Sequence, residues 1–117
     1  MYQITELTSE AKQQVKVTVG NNKTCKLNFT YCPNQQCWFF DIIYEDGNFY
    51  SYGHKLTNCP NMIRQFQNTL PFGLGCSVED GLEPWFQNDF ITERVKVYVL
   101  TKEDVQTIGT DLYAKIW

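Results

Sequence analysis

The chain has one histidine, His54, and five cysteines, Cys25, Cys32, Cys37, Cys59 and Cys76, so nucleophilic or metal chemistry has few residues to draw on. A cysteine or serine nucleophile needs a base beside it. His54 follows an aromatic run, CWFFDIIYEDGNFYSYG, and is expected on a strand opposite Phe39, a packing or surface position rather than a catalytic one. The cysteines form no Cys-x-x-Cys pair, and a single histidine completes no zinc quartet. They read as buried free thiols of a reducing compartment. No catalytic residue, metal ligand or cofactor-binding residue is expected, and no cofactor.

Carboxylates gather at Glu79, Asp80, Glu83, Asp89 and Glu93. Such a group can hold calcium or act as an acid and base pair, but the spacing of a calcium loop is missing and a solvated loop is the expectation. Gly73-Leu74-Gly75 is too short for a dinucleotide fingerprint and is followed by no helical pattern, so its glycines are expected to serve a bend or close backbone approach. Phe39, Tyr50 and Tyr52 could stack single-stranded bases, but only Lys55 lies nearby and the formal charge is −3. Nucleic acid is therefore not an expected partner. Asn22 and Asn28 stand in glycosylation-like triplets that carry no weight without secretion.

With 117 residues, 43% of them hydrophobic and 15% aromatic, the chain is long enough to bury one core. It reads as a single domain, 1–117, with peripheral termini at 1–12 and 110–117. No stretch has the roughly 20 apolar residues of a membrane helix. The opening MYQITELTSEAKQQ lacks the basic and apolar regions of a signal peptide, so synthesis as a soluble cytosolic protein is expected.

Period-two alternation fixes the strands. Val15, Val17 and Val19 alternate with Lys16 and Thr18, and Cys25, Leu27, Phe29 and Tyr31 alternate with Lys26, Asn28 and Thr30. A three-residue loop, Asn21 to Lys23, would pair Val19 with Cys25, Val17 with Leu27 and Val15 with Phe29. Beyond the turn-rich Pro33–Gln36, Tyr31 is expected opposite Trp38, Phe29 opposite Phe40, Leu27 opposite Ile42, Cys25 opposite Tyr44 and Cys32 opposite Cys37. Asp46-Gly47 signals a type I′ hairpin, pairing Tyr44 with Phe49, Ile43 with Tyr50 and Phe40 with Gly53.

Trp38, Phe40, Ile42, Tyr44 and Phe49 then line a core face. The opposite face carries Phe39, Ile43, Tyr50 and Tyr52 with Asp41, too apolar to be left in water and in need of cover from this chain or another subunit. Downstream, Met62, Ile63 and Phe66 fit a short helical turn or irregular crossover, 72–79 a fifth strand, DGLEPWFQND a long loop, and 94–100 a last strand. Thr101 and Asp104 form a capping pair for a helix at 104–108 that Gly109 ends. The fold expected is all-β: a small antiparallel barrel or sandwich on a four-strand meander, six strands in all, with one short C-terminal helix.

This order resembles the baseplate plug proteins of contractile-tailed phages over about residues 13–108. The matching pieces are VKVTV, NFTYCPNQQCWFFDIIYEDG, the Leu56–Phe66 segment, LPFGLGCSV, the Pro- and Asp-containing loop and VKVYVLTKEDV. The resemblance implies a non-enzymatic virion component at the tail tip, between tube or hub and central spike, present in the bacterial host cytoplasm during assembly. Its implied partners are other tail proteins (hub, spike) and further copies of itself, without nucleic acid or a membrane span. The loop 83–93 carries Trp85, Phe86 and Phe90. It is either a lid over the second sheet face or, as the resemblance favours, part of a partner interface made by Phe66, Phe72, Trp85, Phe86 and Phe90. The competing reading is a free β-barrel module that binds a small ligand or single-stranded nucleic acid.

Overall fold

The structure is a computed structural model that describes residues 2–19, 23–45, 48–66 and 69–107. Its strands are β1 (Tyr2–Gln3), β2 (Lys12–Val19), β3 (Lys23–Cys32), β4 (Cys37–Tyr44), β5 (Phe49–Lys55), β6 (Gly73–Val78) and β7 (Val95–Leu100). A 3-10 turn at Arg64–Phe66 supplies the expected crossover, and a helix, α1, covers 102–107. The strands form two antiparallel sheets, β2-β3-β4-β5 and β1-β7-β6, packed as a sandwich; no closed barrel forms among the described residues. Val15, Val17, Leu27, Phe29, Trp38, Phe40 and Ile42 of the larger sheet share one core with Leu74, Cys76, Val95, Val97 and Val99 of the smaller.

The β3–β4 ladder has the expected register: Tyr31 faces Trp38, Phe29 faces Phe40, Leu27 faces Ile42 and Cys32 faces Cys37. The β2–β3 ladder is slipped by two residues from the expectation, with Val19 opposite Lys23, Val17 opposite Cys25 and Val15 opposite Leu27. A slip of two leaves every side chain on its own face, so hydrophobic alternation does not detect it. The loop residues Asn21 and Asn22 lie outside the described residues.

Along β4–β5, Tyr44 faces Phe49 and Ile43 faces Tyr50 as expected, but Phe40 faces His54 rather than Gly53. A bulge causes the change: Tyr52 and Gly53 together oppose Asp41. Gly53 adopts φ 75°, and its N–H donates to Asp41 Oδ1 at 2.8 Å. Gly53 therefore serves the backbone of the bulge and does not make room for Phe40. His54, expected opposite Phe39, is turned inward, its ring centroid 5.4 Å from that of Phe40 and 5.7 Å from that of Phe66. Asp46-Gly47 falls outside the described residues; beside it, the Asn48 N–H donates to the Glu45 carbonyl at 2.9 Å.

Among the described residues seven strands form where six were expected, because β1 is too short for a period to show. Tyr2 pairs with Val99, the Ile4 N–H donates to the Val97 carbonyl at 2.8 Å, and Ile4 and Leu7 are buried. Residues of the N-terminal dozen thus supply a strand and part of the core. At the other end, the Asp104 N–H donates to Thr101 Oγ1 and the Thr101 N–H to Asp104 Oδ2, both at 3.1 Å, a reciprocal cap that starts α1 at 102. Gly109 and the segment 110–117 lie outside the described residues. The segment 59–62 covers the edge of β6: the Cys59 N–H donates to the Cys76 carbonyl at 3.1 Å, the Cys76 N–H to the Cys59 carbonyl at 2.9 Å, and the Met62 N–H to the Leu74 carbonyl at 2.7 Å. Gly75 permits this approach: a Cβ there would stand 2.6 Å from the Pro60 carbonyl oxygen.

Candidate assembly surface

The loop between β6 and β7 is organised by Arg94. Its Nε and Nη2 donate to the two carboxylate oxygens of Asp80 at 3.0 and 3.2 Å, Nη1 donates to Asp89 Oδ2 at 3.0 Å, and Nη2 also donates to the Glu83 carbonyl at 2.9 Å. Asp89 is only 1% exposed, and the same Oδ2 accepts the Phe86 N–H at 2.8 Å. A buried carboxylate is tolerated when it is paired and hydrogen-bonded in this way. The carboxylates expected to be a solvated cluster thus split: Asp80 and Asp89 hold the guanidinium, while Glu83 Oε2 accepts the Asn58 N–H at 3.1 Å. Hydrogen bonds from Arg94 hold the Asp80 carboxyl below the usual carboxylate range. Partial burial lowers the Arg94 pKa, but its two carboxylate partners outweigh that and the net shift is upward.

The larger sheet anchors the same loop by its backbone. The Tyr31 hydroxyl donates to the Trp85 carbonyl at 2.6 Å, and Trp38 Nε1–H donates to the Phe86 carbonyl at 3.2 Å. Phe90 plugs into the core between them, its centroid 4.8 Å from Trp38 and 6.0 Å from Phe29. With both carbonyls fixed, the side chains of Trp85 and Phe86 stand outward, 40% and 52% exposed, with the Arg94 guanidinium 5.7 and 5.5 Å from their ring centroids.

The loop therefore closes the sandwich at the Tyr31–Trp38 end, on the core side of the larger sheet. It is not a lid over the face of Phe39, Ile43, Tyr50 and Tyr52, because Tyr31 and Trp38 project inward and draw it there. The five aromatic residues expected to form one interface do not share one surface. Phe72 packs on Tyr44 at 5.5 Å and is buried with Phe90, while Phe66 is partly buried against Phe49 at 5.0 Å. Trp85 and Phe86 remain accessible, joined in the same loop by exposed Leu82 and Ile91. Neither of the latter was singled out from sequence, nor was Arg94, whose signal is a lone cation closing a carboxylate-rich run.

The remaining residues of chemical interest are built into the fold. Ser51 Oγ and His54 Nε2 are 2.6 Å apart within the β5 bulge, with the imidazole packed between two phenyl rings. Burial pushes the Cys25 and Cys76 thiols up to about 12, far from a reactive thiolate at neutral pH. All five cysteines are free, and no group of three or more potential metal ligands gathers among the described residues. No helix among the described residues is long and apolar enough to cross a membrane.

No curated protein matches the chain. The family described as Cyanophage baseplate Pam3 plug gp18 matches residues 1–103, nearly all of the described sandwich. By that match the chain belongs to the phage baseplate plug family.

Proposed function

We propose that the protein is a non-enzymatic structural component of a phage tail baseplate, an adaptor or plug seated between tail tube or hub and central spike. It is made in the host cytoplasm and resides in the virion, with other tail proteins as partners. The observation that carries this reading is the pair Trp85 and Phe86, exposed side chains on a backbone locked by Arg94, Tyr31 and Trp38. Interface cores are enriched in aromatic residues, and a rigid pair loses little conformational entropy on docking. Family membership supports the baseplate setting.

The test replaces Trp85 and Phe86 with serine and measures both melting temperature and incorporation into tails. The rings are half-exposed, so the stability loss expected is that of their contact with Arg94, about 1 kcal/mol. Lost incorporation with that small change supports the reading. Normal incorporation, or a collapse in melting temperature, refutes it.

A further inference from the structure

The outer face of the larger sheet has a composition that the core does not explain. The ladders place Lys16, Lys26, Ile43 and Tyr50 in one row across β2 to β5, and Lys12, Thr30, Phe39 and Lys55 in another, with Asp41 and Tyr52 between them. Tyr50 and Tyr52 are 51% and 63% exposed. Lys26 reaches Glu45 at 3.6 Å, while Lys16 faces Lys26 directly, an unfavourable like-charge pair within one chain. Four lysines, Lys12, Lys16, Lys26 and Lys55, share this face with the exposed rings of Tyr50 and Tyr52 and a middle row of Gln14, Asn28 and Asp41, on a chain whose formal charge is −3.

The β6–β7 loop has the complementary composition. With Asp80 and the buried Asp89 paired to Arg94, residues 79–94 still carry Glu79, Glu83 and Glu93, alongside exposed Leu82, Trp85, Phe86 and Ile91. The two surfaces lie on opposite sides of the larger sheet: the loop is tied to the inward-facing Tyr31 and Trp38, and the lysine and tyrosine rows face outward.

We propose that the acidic apolar loop of one copy docks on the basic aromatic sheet face of a second copy. The contact is head to tail, since two different patches meet, and a repeated contact of that kind builds a ring or a stack rather than a twofold dimer. Opposite charges at the rim orient and speed the encounter, and the buried rings hold it. The proposal rests on the reading of the loop as an assembly surface and names its partner.

The experiment measures the mass of the full purified chain by sedimentation over a concentration series, at low and high salt. The wild type is expected to rise above monomer mass with concentration and to dissociate as salt is raised. Lys12→Glu with Lys16→Glu, and separately Glu79→Lys with Glu93→Lys, are each expected to weaken association at least tenfold. Mixing the two variants, or combining all four changes in one chain, restores it. These side chains are exposed, and thermal melts confirm that each variant is folded. A wild type that stays monomeric at all concentrations overturns the proposal, as does a loop variant that associates normally, or a mixture that does not recover. If association fails these tests while the Trp85 and Phe86 double variant still loses incorporation into tails, the self-docking is wrong and the assembly role of the loop stands.

Discussion

Removing Arg94 tests whether one guanidinium organises the whole β6–β7 loop. In Arg94→Met the aliphatic stem is kept and four hydrogen bonds are lost: two to Asp80, one to Asp89 and one to the Glu83 carbonyl. The Asp80 part is weak, because that side chain is 47% exposed and exposed pairs contribute about 0–1 kcal/mol. Asp89 decides the outcome. At 1% exposure its Oδ2 is left with the Phe86 N–H, and breaking a buried pair from one side costs about 3–5 kcal/mol. Arg94 is itself 16% exposed, so water reaches the site and the lower end applies, about 3 kcal/mol. For a domain of this size that is a fall in melting temperature of roughly 12 °C. Urea denaturation of Arg94→Met, Asp89→Asn and the double variant closes the cycle; the double variant should recover about half of the loss, since no buried charge is then stranded. A single-variant loss below about 1 kcal/mol, or a coupling near zero, refutes the assignment of Arg94 as the organiser.

Two further outcomes follow from packing and burial. Gly75→Ala should destabilise by about 1–3 kcal/mol in denaturant titration, because the new methyl meets the Pro60 backbone oxygen and the 59–62 segment must move off β6. Cys25 and Cys76, raised by burial from 9.0 to about 12, stay protonated in the folded state while the unfolded chain ionises above pH 9. Their contribution to stability is therefore intact below pH 9 and declines between pH 9 and 12, by up to about 1.4 kcal/mol per pH unit for each thiol. Stability curves at pH 8 and 10.5 should converge in the Cys25→Ala, Cys76→Ala double variant, and alkylation at pH 8 should reach these two thiols last.

The sequence by itself determined the strands, and with them most of the core. Alternation over Val15–Val19 and Cys25–Tyr31, and the apolar matching of Tyr31, Phe29 and Leu27 with Trp38, Phe40 and Ile42, are local patterns, and a buried face specifies them strongly. The Thr101–Asp104 cap was equally legible, since its partners are three residues apart. What failed depended on energies that have no period. A two-residue slip of β2 and a bulge at Gly53 both leave the hydrophobic faces intact, so pattern matching does not see them, although the bulge turns His54 from one face to the other. The two-residue strand β1 is defined only by its hydrogen bonds to β7. The aromatic residues of the loop were visible from the start, but their division into Phe90 inside and Trp85 and Phe86 outside was decided by the tertiary structure. Tyr31 and Trp38, more than forty positions away, supply the two donors that fix the loop carbonyls, and a buried carboxylate takes up Arg94. Contacts between distant parts of the chain assign those rings to core or surface, and no local spacing encodes them.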